Sequence, residues 1–235
     1  MQPKTEQIRG LFTRIAGRYD VLNRALTFGI DISWRRRALR MLAKATTPDR
    51  ILDLAAGTAD LSIGAARTFP MAHVTGVDLT PAMLEIGREK VVKAGVADRV
   101  DLQEGNAQSL DFAAETFDAV TCAFGFRNFP DASMALAETF RVLKPGGVLL
   151  VLELFRMESR FFARTTSLWL RFVAPMLARS TRNDYAYLRA SIERTFSAAD
   201  FSAMADRIGF AQEGGMFFRP SCHCLLLRKY GKLNA

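Results

Sequence analysis

Two hydrophobic periods divide the chain. Over residues 5–44 apolar positions recur every three or four residues. Ile8, Leu11, Phe12 and Ile15 fall on one helical face, and Trp34, Ala38, Met41 and Leu42 on another. The spacing predicts a helical prelude, closed by Pro48. From Arg50 the period shortens. Residues 51–54 read as an apolar strand, followed by the small-residue turn Ala55-Ala56-Gly57-Thr58-Ala59 and a helix to about Phe69. Residues 74–78 predict a second strand. Thr80-Pro81 predicts the next helix start, because proline suits the first helical position. Strands at 100–105 and 117–123 follow, then a helix at 130–143. The turn Lys144-Pro145-Gly146-Gly147 launches a strand at 148–153. A helix from Phe201 to Gly209 and two short strands, 216–219 and 222–228, complete the pattern.

Strands that alternate with helices imply a mostly parallel sheet buried on both faces. The expected fold is therefore α/β and Rossmann-like, seven strands with helices on both faces, preceded by helices and interrupted by a helical insert. The 235 residues suit one such domain. Residues 1–48 form a helical lid and residues 49–235 the sheet domain. The insert at 154–196 is aromatic and arginine-rich.

In a doubly wound sheet the turn after the first strand is where a nucleotide binds. Small residues there let the backbone approach a ligand, and the following helix offers unpaired N–H groups. Gly57 sits in that turn. Asp78 ends the second strand, where a carboxylate can accept both ribose hydroxyls. Gly105-Asn106-Ala107 follows the third strand, where an amide and backbone can read an adenine edge. A dinucleotide dehydrogenase would carry G-x-G-x-x-G against its pyrophosphate, and this turn lacks that spacing. Asp53, just ahead of the turn, suits a cationic amino-acid ligand better than a diphosphate. The methionyl sulfonium of S-adenosylmethionine is the expected match.

Charge changes the picture next. The chain carries a net +8, unevenly spread. Residues 1–50 hold 11 Lys and Arg against 4 acids, residues 51–153 hold 8 against 14, and residues 154–196 hold 8 against 3. Basic flanks around an acidic middle point to an anionic partner, either a membrane surface or nucleic acid, or else to a solvated arginine-rich surface. The opening MQPKTEQIRG lacks the apolar run of a signal peptide, and no stretch approaches the length of a membrane span. Three cysteines make no disulfide framework, so a reducing cytoplasm is expected. Cys222-His223-Cys224 invites a zinc reading, but strand alternation would put His223 opposite the two thiols, so no metal site is expected.

LDLAAGTAD, Asp78, Asn106-Ala107, FGFRNF at 124–129 and RVLKPGG at 141–147 resemble the ubiquinone/menaquinone biosynthesis C-methyltransferases. FTRIAGRYDVLNRALTFGIDISWRRR and DYAYLRASI are similar to the same family, so the resemblance covers nearly the whole chain. It implies the class I S-adenosylmethionine methyltransferase fold. It implies that Thr58, Asp78, Asn106 and Ala107 contact the cofactor, and that Tyr19, Arg127 and Asn128 lie at the substrate side. The family pattern LAGGTGD reads LAAGTAD here, so Ala56 and Ala59 replace glycines. Ala123 stands where a serine is usual, and the C-terminal glycines are lost while His223 remains.

The implied reaction is C-methylation of a polyprenyl quinol, demethylmenaquinol ahead of a ubiquinone precursor. Removing a hydroxyl proton makes the neighbouring ring carbon nucleophilic, so the protein supplies alignment, proton removal and exclusion of water. Arg127 either steadies the developing oxyanion, orients a water, or pairs with a neighbouring acid; Asn128 holds the substrate oxygen. A bilayer substrate matches the basic flanks. The lid and insert would meet anionic lipid peripherally at the inner face of the cell membrane, with Phe161, Phe162, Leu168, Trp169 and Phe172 either entering the acyl boundary or forming the lid's own core. Two other functions use the same charge. A base methyltransferase would show a D/N-P-P-aromatic tetrad or a Pro-Cys nucleophile, and neither occurs, so no nucleic-acid partner is expected. A non-catalytic membrane module would have no need of Asp78 with Asn106. The pattern leaves the oligomeric state open, a homodimer included.

Overall fold

The computed structural model describes residues 3–156, 190–192, 194–219 and 222–230. The aromatic residues of the insert expected to meet lipid, and the DYAYLRASI element up to residue 189, lie outside these described residues. Three helices form the prelude: α1 (Pro3–Ile15), α2 (Tyr19–Thr27) and α3 (Ile30–Ala45), with a single 3-10 turn, Ala16–Arg18, between the first two. The chain then alternates through β1 (Arg50–Leu54), α4 (Asp60–Thr68), β2 (His73–Asp78), α5 (Pro81–Lys93) and β3 (Val100–Glu104). It continues with β4 (Phe117–Ala123), α6 (Ala132–Val142), β5 (Leu143–Leu154), α7 (Ala198–Ile208), β6 (Phe210–Arg219) and β7 (Cys222–Lys229).

The seven strands form one sheet in the order β3-β2-β1-β4-β5-β7-β6. The first five are parallel, and β7 runs antiparallel to both β5 and β6. The strands are near-continuously apolar because both faces are covered. Ile51, Ala119, Val148, Leu150 and Leu226 pack under Trp34, Leu39 and Leu42 of α3 and under α4 and α5. The alternate residues Leu52, Val120, Leu149, Val151 and Leu225 pack under Leu136 and Phe140 of α6 and Phe201 of α7. The chain winds outward in one direction through β2 and β3, then in the other through β4 and β5. The crevice of such a sheet opens where the winding reverses, beyond the C-terminal ends of β1 and β4.

Two boundaries differ from the expectation. The expected turn at 144–147 lies inside β5, where Phe117 pairs with Leu143 and Ala119 with Val148; the extra residues form a bulge, with Gly146 at φ +73°. β6 begins at Phe210 rather than at Met216. Its Gln212-Glu213-Gly214-Gly215 stretch lacks strand periodicity, yet it pairs with β7 through a register shift between Gln212 and Gly214.

Candidate active site

A cleft opens at the switch point. Its floor begins with the turn after β1. Ala55, Gly57 and Ala59 have φ of +53°, +55° and +64°, so left-handed residues alternate along the turn. Ala55 and Gly57 line the cleft. The two alanines that stand in place of glycines do not line it. The Ala59 methyl lies toward Gly87 of α5 and the Ala56 methyl toward Gly76 of β2, each a neighbour without a Cβ of its own. The added methyls therefore crowd the underside of the turn and leave the ligand side open.

Asp78 ends β2 and lines the cleft. Its Oδ2 accepts the Gly57 N–H at 2.9 Å and its Oδ1 accepts the Thr80 N–H at 2.8 Å. Each oxygen keeps a further lone pair for a hydroxyl donor. Burial pushes the carboxyl pKa up, while the Thr80 and Gly57 amides pull it back. Asn106 and Ala107 line the next wall with Leu79, Met83 and Gln108. The Asn106 Oδ1 accepts the Gln108 N–H at 3.0 Å, which fixes the side chain and turns its amide donor to use elsewhere. A carboxylate with spare acceptor capacity, a left-handed glycine and an apolar wall fit an adenosyl ligand.

Asp53 is not among the residues lining the cleft. It is buried beneath the turn, where its carboxylate accepts Ser62 Oγ at 2.5 Å and Thr121 Oγ1 at 2.8 Å. Burial raises its pKa to about 6, against the pull of those two hydroxyls. It braces β1, β4 and α4 rather than meeting a ligand cation. Thr58 is likewise buried and absent from the cleft wall. Its hydroxyl donates to Asp20 Oδ1 at 2.7 Å, because the turn aims it at the prelude.

The far wall comes from the segment after β4. Phe124 takes φ +60°, and its carbonyl accepts Arg127 Nη1 at 2.7 Å and Asn128 Nδ2 at 3.1 Å. In the 3-10 turn Phe126–Asn128 successive side chains point about 120° apart. Asn128 therefore lines the cleft with Phe124 and Phe129, and Arg127 does not. Arg127 instead meets Glu153 at the end of β5, Nη1 to Oε1 at 2.6 Å, and its backbone N–H donates to Glu153 Oε2 at 3.1 Å. Of the three alternatives for Arg127, the ion pair is the one this geometry contains. The pair is deeply buried, with Glu153 at 0% exposure.

The prelude roofs the cleft. Tyr19, at the start of α2, lines it together with Thr5, Ile8 and Phe12 of α1. The Phe12 and Tyr19 rings meet edge to face, 6.0 Å between centroids. Gly57, Asp78, Asn106, Ala107, Tyr19 and Asn128 thus converge on one cleft; Thr58 and Arg127 stand one layer behind it. Sequence reasoning placed Ile8 and Phe12 on an apolar face but missed the α1 wall.

Beside the C-terminal end of β5, β7 buries Cys222 and Cys224. His223 points the opposite way, between the rings of Phe155 and Phe217. Among the described residues no cluster of three His, Cys, Asp or Glu side chains could hold a metal, and no helix is long and apolar enough to cross a membrane.

The model of the ubiE/COQ5 methyltransferase family matches residues 1–215. The chain is 43% identical over 204 residues to the demethylmenaquinone methyltransferase of Thermus thermophilus, covering 86% of this chain and 91% of that one. It is 40% identical over 210 residues to the ubiquinone/menaquinone biosynthesis C-methyltransferase UbiE of Geobacter sulfurreducens, covering 88% and 82%. In three dimensions it is similar to a SAM-dependent methyltransferase of Thermotoga maritima described as a possible histamine N-methyltransferase. The TM-score is 0.65 at 18% identity, over 95% of this chain and 100% of that one, a likeness of fold.

Proposed function

The chain belongs to the ubiE/COQ5 methyltransferase family, and from that premise we propose that it methylates a ring carbon of demethylmenaquinol. It is an S-adenosylmethionine-dependent methyltransferase. When bound, the cofactor supplies an electrophilic methyl group carried on a sulfonium. The observation that carries the substrate reading is the meeting of two sets of residues in one cleft: Gly57, Asp78, Asn106 and Ala107 on the nucleotide side, Tyr19 and Asn128 on the other.

Asp78 holds the ribose hydroxyls, and Leu79, Met83 and Ala107 flank the base. Tyr19 and Asn128 hold the ring oxygen of the quinol, so that its deprotonated form faces the cofactor. Arg127 is a positioning residue: with Glu153 behind it, it fixes the Phe124 carbonyl and the turn that presents Asn128. The α1 roof excludes water with Ile8 and Phe12. The polyprenyl tail remains in the bilayer, and the basic prelude meets anionic lipid at the cytoplasmic face.

An anaerobic assay tests this with demethylmenaquinol and, in parallel, a 2-polyprenyl-6-methoxybenzoquinol, each in reduced and oxidised form. Transfer to the naphthoquinol is expected, and only in the reduced form, because only the quinol has a hydroxyl proton to release. Transfer confined to the benzoquinol would reassign the substrate, and equal rates on quinone and quinol would overturn the chemistry.

A further inference from the structure

A buried-edge network of charges ties the prelude to the cofactor turn, and none of its acids lies on the cleft wall. Lys90 of α5 is its hub. Its Nζ lies 2.6 Å from Asp20 Oδ2, 2.6 Å from Asp60 Oδ1 and 3.1 Å from Thr58 Oγ1. Thr58 closes the ring through its bond to the other Asp20 oxygen at 2.7 Å. Arg24 of α2 extends it, donating to Asp60 Oδ2 at 2.7 Å and to Asp31, which also holds Arg35 at 2.5 Å. Burial alone would raise the Asp60 pKa, but Arg35, Lys90 and Arg24 overcome it and hold it low.

The positions in sequence give the network its meaning. Asp20 adjoins Tyr19, and Thr58 adjoins Gly57; both neighbours line the cleft. Three ammonium protons on Lys90 meet three acceptors from the helix that must roof the cleft, the turn that must hold the ligand and the helix that follows that turn. The Phe12–Tyr19 ring contact then passes the position of α2 to α1.

We infer that Asp20 and Lys90 are positioning residues of the methyl-transfer site, forming a latch that holds the α1–α2 roof and Tyr19 down over bound cofactor. The inference rests on the proposed placement of Tyr19 at the substrate side. The ligand leaves by lifting the roof, so the latch sets its dissociation rate. The sheet beneath is anchored separately by its own core.

The test is the dissociation rate of S-adenosylhomocysteine from the full chain by stopped-flow displacement, alongside steady-state kinetics. Asp20→Asn and Lys90→Met should each speed dissociation about tenfold, with a raised cofactor KM, and together should accelerate it little more than either alone. Thr58→Val, isosteric and apolar, should show a smaller effect in the same direction. Lys144→Met, which breaks the 2.6 Å pair with Asp118 at the opposite end of the sheet, should leave the rate as it was. Should Asp20→Asn fail to fold, Thr58→Val carries the test. Dissociation unchanged in the latch variants, or accelerated equally by Lys144→Met, would overturn the latch. If the parent binds S-adenosylhomocysteine and the latch variants behave as expected, yet Tyr19→Phe turns over quinol normally, the latch stands and the placement of Tyr19 fails.

Discussion

Asp78 carries two duties with one carboxylate: it anchors the backbone of the turn through Gly57 and presents acceptors to a ribose. Asp78→Ala should weaken S-adenosylhomocysteine binding by about 1–3 kcal/mol, the worth of a charge-assisted hydrogen bond. Titration calorimetry that found unchanged affinity would dislodge Asp78 from the ribose. This residue was legible in the sequence because a strand end, a turn and a carboxylate at Rossmann spacing constrain one another. Arg127 was legible as important but not in its placement, because nothing local announces that Glu153, 26 residues later, ends beside it. Its geometry makes a sharper expectation. Arg127→Ala leaves Glu153 charged, buried and without its cation, so the loss of stability should reach about 3–5 kcal/mol. Turnover should fall about 10²-fold, the scale of a misplaced substrate contact, with cofactor affinity nearly constant, since Arg127 lies behind Asn128 and off the cleft wall. Arg127→Met combined with Glu153→Leu should recover much of the stability in urea denaturation and little of the turnover. A double variant as unstable as Arg127→Ala would show that the ion pair is not the source of the loss. Ala59 offers a smaller reading of the same kind. At φ +64° it bears a strain of about 1–2 kcal/mol that glycine would relieve, offset by about 0.8 kcal/mol for the buried methyl. Ala59→Gly should therefore be neutral to mildly stabilising, whatever it does to the family pattern.

Among the elements, the junction of β1, β4 and α4 depends on Asp53, which bonds one hydroxyl from each neighbour. Its pKa of about 6 lies above the ordinary carboxylate value of 3.8, so the folded state holds this proton more tightly than the unfolded chain. The contribution to stability is full below pH 4 and is lost as pH rises through about 6, roughly 3 kcal/mol in all at 1.36 kcal/mol per unit. Asp53→Asn should flatten that limb of the stability–pH profile between pH 4 and 7 when followed by urea midpoints. A profile with the parent slope in the variant would assign the titration elsewhere. The strands that sequence pattern located well, β1, β2, β3 and β4, are short, apolar and bounded by turn residues. β6 was half-seen because its first half is polar and glycine-bearing, and its strand character comes from pairing with β7 alone. A lid was expected at residues 1–48, but the α1 side chains that line the cleft were not singled out, because α1 gains that role from contacts made across the chain, with α5 among them. Long-range partners leave no local periodicity to read.

At the scale of the whole molecule, the charge map becomes more one-sided once the fold is known. Asp31 is buried against Arg24 and Arg35, and the half-buried Asp20 is paired with Lys90, so neither acid is free to balance the surface arginines of the prelude. Among the described residues, the exposed charges left on the prelude are Arg14, Arg18, Arg36, Arg37, Arg40 and Lys44, against Glu6. Apolar groups accompany them: at the corner between α2 and α3, Phe28 and Ile32 are 63% and 53% exposed, with Ile32 one helical turn from Arg36. Phe28 holds φ +53°, a backbone form in which a bulky residue is rare. The proposed contact with anionic lipid would use this corner, with guanidinium groups at the phosphates and the phenyl ring at the acyl boundary. Flotation at low salt should therefore recover the chain with vesicles of mixed phosphatidylcholine and phosphatidylglycerol, and not with phosphatidylcholine alone. Recovery should fall steeply as salt shortens the Debye length from about 30 Å at 0.01 M to about 8 Å at 0.15 M. The paired substitution Phe28→Ser with Ile32→Ser should weaken residual binding by about tenfold or more, since each apolar side chain withdrawn from water contributes ~1.5–3 kcal/mol. Turnover of a short-chain, water-soluble quinol should persist in that variant, because the corner residues do not line the cleft. Equal flotation with neutral and anionic vesicles would remove the electrostatic half of the proposal, and undiminished binding of the double variant would remove the apolar half.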